Sequence, residues 1–357
     1  MQSTLRAVRA HPKLELQIVA TGMHLSTSRG KSIDDIARQG WKIDRAVRWG
    51  GSSTDPVSTA KCTGRAIAGL AEAFEELGAD VVLVVGDRVE AFAAASAGHI
   101  SNRIVAHVHG GDRALGQVDD ALRHAITKLA HVHFAATEQS ARRIIRLGED
   151  RWRVHRVGAP GIDGIVRDAL SLSRQAAVPF ALVVYHPVDS DATVERRRAV
   201  EMLDVVTSVP FERVVVVYPN NDPGSEGIID AYRRRASDRR FTFHRNVSRP
   251  QFLGLMRDAA VMVGNSSSGI IEAASFGTPV IDIGLRQAGR ERSQNVTNVP
   301  YGKTPLKLAL TRVWNDGYPK RFRGNNVYGG DGAGRKIAQI LAGIALDDRT
   351  RRKLIAY

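Results

Sequence analysis

The chain has 357 residues, enough for two domains with separate cores, and its 43% hydrophobic and 25% charged content excludes wholesale disorder. A single cysteine, Cys62, excludes an internal disulfide and fits a reducing compartment. The net charge of +14 is dispersed, apart from short runs such as Arg233–Arg235 and Arg349–Lys353, and only 6% of residues are aromatic. This pattern argues against a nucleic-acid surface and for a solvated exterior with a site for an anionic small molecule.

The N-terminus lacks the apolar stretch of a signal peptide, and no run approaches the ~18 apolar residues of a membrane span. A cytoplasmic protein without membrane contact is expected. The chain opens on a helix-like segment, Ser3–Ala10. A doubly wound domain ordinarily opens with a strand and a Gly-rich phosphate loop, so the first N-terminal strand is missing from the pattern. Strands then follow at Leu14–Gly22, Asp80–Asp87, Arg103–Gly111, Val132–Glu138 and Arg153–Pro160, with helices between them, most clearly Thr63–Leu77 and Asp119–Ala130. Leu170–Pro179 is polar and loses strand character. The alternation then restarts with Pro179–Pro187, Arg213–Asp222, Phe241–Ser248, Ala259–Ser267 and Pro279–Gly284. The fold class is therefore α/β, with two doubly wound Rossmann-like domains over 1–170 and 171–334 and a ligand expected in the cleft between their strand ends.

Several motifs fall at strand ends. In His107–Phe134, a double-glycine turn and an amphipathic helix gather Asp112, Asp119 and Asp120, carboxylates suited to proton chemistry. Asp119 and Arg123 stand four apart, as do Asp120 and His124, so each can be a local helix pair. His131 and His133 bracket a strand entry, and one of them reads as structural. Asp87 ends a buried strand and is either a helix N-cap or a catalytic carboxylate; Arg88 pairs with a phosphate or with Glu90. His186, in YHPVDS, ends the first strand of the second domain, where a neutral imidazole can donate to a phosphate or sugar oxygen, or be a satisfied structural residue. In GNSSSGIIEAASFGTPVIDIG (Gly264–Gly284), the glycines allow close backbone approach, the serines offer hydroxyls and amides, and a helix opens near Ile270. The same stretch also reads as a plain capped turn. Glu272, read in the first turn of that helix, either favours its dipole or accepts ribose hydroxyls. No HExxH, Walker motif or metal-spaced Cys/His cluster is present, so neither metal nor cofactor is expected.

Together these segments resemble the hydrolysing UDP-N-acetylglucosamine 2-epimerases, which supply N-acetylmannosamine for sialic acid synthesis. TGMHLS (Thr21–Ser26), GDRVE around Asp87, HVHGGD with DDALRHAITKLAHVHF, YHPV, NNDPGS ending at Ser225, GNSSSG through Arg290, and NVYGGDG (Asn326–Gly332) occur in the family's order and span nearly the whole chain. The resemblance implies a fold of glycosyltransferase-B type, with a C-terminal helix over 335–357 completing the first domain. It implies anti elimination of UDP to a 2-acetamidoglucal, followed by hydration to the manno sugar. It places catalytic roles on Asp87, Asp119 and His186, and UDP contacts on Val247, Ser266, Ser267, Glu272 and Arg286, to which Arg88, Asn220 and Asn221 are added. Asp119 is the expected proton-transfer residue and His186 the diphosphate contact. A homodimer or homotetramer is also implied.

The sequence departs from the family pattern at three places. His109 stands where many relatives carry an acidic residue, and Asp112 replaces the glutamate of GGE. Both lie near the reacting carbons and are counted with the catalytic set, as places where a different sugar would be read. The family's first strand and its Gly-Thr-Arg-Ala loop have no counterpart. Because a sheet lacking an interior strand would expose apolar neighbours and unpaired edges, this points to a start codon placed too late. The alternatives to the leading reaction are the same reaction on a UDP-2,4-diacetamido sugar, a glycosyltransferase of this fold, and an impaired nucleotide-sugar-binding protein.

Overall fold

Runs rich in β-branched residues separated by helices return the chain to the same end of a sheet each time, and every strand pair among the described residues is parallel. The computed structural model describes the chain except residues 26–31, 51–55, 114–118, 171–177, 221, 315–320, 355 and 357, and except the side chains of residues 23, 24, 32, 35 and 119. It divides into two compact units, Met1–Pro160 with Gly332–Tyr357, and Gly161–Asp331.

The first unit contains α1 (Gln2–Arg9), β1 (Val19–Thr21), α2 (Ser32–Arg38), β2 (Arg45–Val47), α3 (Pro56–Glu76), β3 (Val81–Val85), α4 (Val89–Ile100), β4 (Ile104–Val108), α5 (Asp119–Leu129), β5 (Val132–Ala135), α6 (Glu138–Arg146) and β6 (Val154–Arg156). The expected opening helix is α1, and the first strand follows it. Among the described residues the strands form two sheets, β1-β2 and β3-β4-β5-β6, so β1 and β3 each keep one edge with no strand beside it. Successive residues of β4 face opposite sides. Ile104, Ala106 and Val108 join a core that includes Val8 of α1 and Ile337, while Val105 joins Ala66 and Leu70 of α3 and Ala93 of α4.

The second unit contains α7 (Ile165–Asp168), β7 (Phe180–Val184), α8 (Ala192–Thr207), β8 (Arg213–Val217), α9 (Ser225–Arg233), β9 (Phe241–His244), α10 (Arg249–Asp258), β10 (Val261–Gly264), α11 (Ser267–Ile271), β11 (Val280–Ile283), β12 (Val296–Val299) and α12 (Lys303–Trp314). Its six strands run in the order β12-β11-β10-β7-β8-β9. The winding direction reverses between β7 and β10, and in such sheets ligands bind at the carboxyl ends of the two strands that flank the reversal. Ala181 and Val183 pack on one face with Leu203 of α8 and Ile228 of α9. Phe180, Leu182 and Val184 pack on the other with Met256 of α10.

The chain leaves the first unit at Pro160, before the polar stretch expected to mark the boundary. Within the second unit α7 packs on α10, and the Leu170 N–H donates to the Pro250 carbonyl. α13 (Ala333–Ala342) and α14 (Asp348–Arg351) belong to the first unit. Ile337 of α13 is fully buried there. Within the basic run after it, Lys353 is held rather than solvated. Lys353 Nζ donates to the carbonyls of Thr127, Lys128 and Ala130 at the C-terminal end of α5 and pairs with Glu149 at 2.7 Å. Burial alone would raise the Glu149 carboxyl, but hydrogen bonds from His133, Lys128 and Lys353 hold it at about 2.

The acid stability of the fold follows from its buried histidines. Burial pushes His107 down to about 3, and burial with nearby positive charge pushes His131 and His186 to about 4, all from 6.5. The unfolded chain therefore binds these protons first. Their contribution is present above pH 6.5 and is lost as the pH falls towards 4. Chemical denaturation at stepped pH is expected to give an unfolding free energy that declines steeply between pH 6.5 and 4, and a flat profile there would contradict this assignment.

Candidate active site

In the first unit the candidate residues gather where β3 and β4 end. Fully buried His107 donates from Nε2 to the Gly86 carbonyl at 2.8 Å and ties the two strand ends together. The next residue, Asp87, is not an N-cap. α4 begins at Val89 with Arg88 at its cap position and no side-chain capping bond. Asp87 instead forms an ion pair with Arg123 of α5, which is 3% exposed. Arg88 lies 3.5 Å from Glu90, with most of its side chain in solvent.

His109 follows β4 with φ 65°, a left-handed conformation rare for a residue with a Cβ. Its Nδ1 lies 3.0 Å from Asp112 Oδ2. Asp112 Oδ1 accepts from Ser140 Oγ at 2.7 Å, and Ser140 Oγ accepts from Thr137 Oγ1 at 2.9 Å. The turn closes only because residue 111 is glycine. At φ 72° a Cβ there would sit 2.3 Å from the Ser140 carbonyl oxygen. Buried Asp112 is thus fixed on both oxygens. A neutral His109 that donates Nδ1–H to it keeps Nε2 as an acceptor, the arrangement of a histidine general base.

Asp119 is the first residue of α5, and its side chain lies outside the described residues. Asp120 lies 3.5 Å from His124, as the spacing predicts. His131 and His133 are both structural. His131 Nδ1 accepts from the Val105 N–H at 2.9 Å, and His133 Nε2 bonds Glu149 at 3.1 Å.

In the second unit His186 stands just beyond β7. Its Nδ1 accepts from the Asn220 N–H at 3.1 Å, so the ring proton of the neutral form is on Nε2. Burial, aided by Arg286, pushes its pKa down to about 4 and keeps it uncharged at neutral pH. It can donate one hydrogen bond from Nε2. The loop beyond it is clamped by Glu195, a fully buried carboxylate whose Oε1 accepts from the N–H groups of Val188 and Asp189 and from Arg198.

Across the reversal, β10 ends at Gly264, whose φ is 144°; a Cβ there would lie 2.0 Å from the Val184 carbonyl oxygen. The two strand ends approach this closely because the residue is glycine. α11 begins at Ser267, earlier than expected, capped by Ser266, whose Oγ accepts from the Ser268 N–H. Ser266 and Ser267 therefore sit at a helix start, where amides and hydroxyls can face an anion. Glu272 sits at the C-terminal end of this five-residue helix, not in its first turn, so the dipole account fails. It accepts from Arg249 at 2.8 Å. Burial raises its pKa, and Arg249 opposes the rise only in part. Arg286 donates to the Asn265 carbonyl at 3.2 Å. Val247 packs against the core face that carries Leu182, while Asn221 lies outside the described residues.

Sequence reasoning missed Arg123 as the partner of Asp87, and also Asn265 and Glu195. The signal for Asn265 was present, since it is a polar residue placed directly after a fully buried strand. No group of three or more His, Cys, Asp or Glu among the described residues is placed to hold a metal, and none of the described helices is long and apolar enough to cross a membrane.

Two Rossmann-like units, one with carboxylates and histidine at its strand ends and the other with a neutral histidine and serines at its winding reversal, define an α/β protein of glycosyltransferase-B type. The family model described as UDP-N-acetylglucosamine 2-epimerase matches residues 6–342, and the chain belongs to that family. It is 34% identical to the UDP-N,N'-diacetylbacillosamine 2-epimerase (hydrolyzing) of Legionella pneumophila, over 100% of this chain and 96% of that protein. It is 29% identical to the UDP-N-acetylglucosamine 2-epimerase of Neisseria meningitidis, over 92% and 87%. A crystal structure of UDP-GlcNAc 2-epimerase from Neisseria meningitidis bound to UDP-GlcNAc shares the fold, with a TM-score of 0.81 at 19% identity over 96% of this chain and 97% of that one.

Proposed function

We propose that the protein is a hydrolysing 2-epimerase that converts a UDP-2-acetamido sugar and water into UDP and the free manno-configured sugar. The C2 hydrogen of such a sugar is hardly acidic. A side-chain base removes it only if the C1–O bond breaks well ahead and leaves positive charge on the ring. In the first step the bond to the diphosphate breaks, a protein base takes the C2 proton, and the C1–C2 double bond of a 2-acetamidoglycal forms. In the second step water adds its hydroxyl to C1, and a proton enters C2 from the opposite face.

The observation that carries this reading is the match to a hydrolysing relative over both chains, joined to the division of labour between the two sets of residues. Residues of the second unit receive UDP: His186 gives its Nε2–H to a diphosphate oxygen, Arg286 offsets the departing charge, and Ser266, Ser267, Glu272, Val247, Asn220 and Asn221 hold the remainder. Residues of the first unit handle the sugar. Asp87, paired with Arg123, faces the developing ring cation with Arg88 nearby. Asp119 transfers the C2 proton, and the His109–Asp112 pair activates water. A 2,4-diacetamido-6-deoxy sugar is the favoured substrate, because the relative that matches the full chain is named for one. UDP-N-acetylglucosamine is the second reading, favoured by the Neisseria relative.

The test is to incubate the protein with each UDP sugar in deuterated water and follow phosphorus and proton NMR. Release of UDP with a free manno sugar deuterated at C2 is expected, with the larger kcat/KM for the 2,4-diacetamido substrate. A UDP-linked epimer without free UDP, or binding without turnover, would overturn the proposal. A larger kcat/KM for UDP-N-acetylglucosamine would decide for the second reading.

A further inference from the structure

At the strand ends of the second unit, Asn265 has no part in the scheme above. It follows Gly264 and is 1% exposed. Its side-chain oxygen accepts from the His186 N–H at 2.7 Å, and its Nδ2 donates to the His186 carbonyl at 2.8 Å. One planar amide thus satisfies both backbone groups of His186. Its own backbone carbonyl accepts from Gln287 Nε2 at 2.9 Å and from Arg286 Nη1 at 3.2 Å. A single buried residue therefore reaches both groups assigned to the departing diphosphate.

The chemistry demands a carboxamide at this reach. Aspartate would keep the acceptor for the His186 N–H but lose the donor to its carbonyl. Glutamine would carry the same groups one methylene too far, and an aliphatic side chain would leave two buried backbone groups without partners. The backbone of His186 also sets its ring, because Nδ1 must meet the Asn220 N–H to keep the proton on Nε2. We infer that Asn265 is a positioning residue: it holds His186 in the orientation and tautomer that present Nε2–H, and it anchors Arg286 beside it. This rests on the reading of His186 and Arg286 as diphosphate contacts. Displacing a catalytic group by about 1 Å can lower a rate by about 10²-fold, so the effect belongs in kcat.

The test uses the full-length protein with 15N-labelled histidine, with the His186 signals assigned from a His186→Gln variant. Without ligand, His186 is expected to show the Nε2–H tautomer in the unmodified protein and a mixture of tautomers in Asn265→Asp. With substrate, Asn265→Asp is expected to lose about 30-fold to 100-fold in kcat with KM within about threefold. In the His186→Gln background the same substitution should cost less than about threefold more, because the residue it positions is gone. A merely structural role would instead give the same loss in both backgrounds. An unchanged tautomer, or an undiminished loss beside His186→Gln, would overturn the proposal. Asn265→Gln serves for both readouts if Asn265→Asp does not fold. The tautomer is read without substrate, so a failure of the epimerase reading is distinguishable from a failure of this one.

Discussion

Asp119→Asn is expected to lower turnover of the UDP sugar by about 10²-fold to 10⁴-fold, the range over which a positioned acid–base group acts, and to leave UDP affinity within a few fold. Asp119 opens α5, and the rest of that helix fixes its register. Ile126 is fully buried, Arg123 pairs with Asp87, and Asp120 lies against His124. In the proposed reaction Asp119 carries the proton transfer, whereas Asp120 is engaged with a residue of its own helix. The amide is nearly isosteric, so backbone and helix start are preserved while proton transfer is removed. UDP is assigned to the second unit, so its affinity reports on residues the substitution does not touch. Asp120→Asn is the matching control and should retain turnover within a few fold. Steady-state UDP release and calorimetric titration with UDP check both halves; normal turnover in Asp119→Asn would sink the assignment.

Much of this arrangement is legible in the sequence, and the reasons for what is not are physical. The ten expected strands recur, most clearly where a run rich in β-branched residues is buried on both faces, as in β7 and β4. β2 and β12 escape because they are short edge strands, and Arg45, Thr297 and Asn298 break the apolar run. His186 and the GNSSSG turn could be placed because strand ends and glycines mark where backbone must approach a ligand. The partner of Asp87 could not be placed from spacing. The i,i+4 rule offers Arg123 a neighbour on its own helix, and the fold adds the partly exposed carboxylate of Asp87 from beyond the end of β3. Glu272 fails for a related reason: α11 ends after five residues, and a dipole argument built on a longer helix assigns it to the wrong end. The two-bond contact of Asn265 with His186 joins residues far apart in the chain, and only the pairing of β10 with β7 brings them together.

The Asp87–Arg123 pair supports the second large prediction, in which stability and activity separate. Arg123 is 3% exposed and Asp87 is 22% exposed, so each charge has given up much of its hydration and depends on the other. Arg123→Met should therefore destabilise the protein by about 2–4 kcal/mol, somewhat under the usual cost of orphaning a fully buried charge, because Asp87 keeps some contact with water. Turnover should fall with it, since the carboxylate loses the group that orients it. Adding Asp87→Asn removes the orphaned charge, so the double variant should regain at least half of the lost stability, as read from urea unfolding midpoints at unchanged slope. It should regain none of the turnover, because a neutral amide cannot stabilise a cationic ring. If the double variant were as unstable as Arg123→Met alone, the destabilisation would come from lost packing rather than from charge. If it turned over substrate normally, Asp87 would have no part in the reaction, and the carboxylate facing the ring would have to be sought at Asp112 or Asp119.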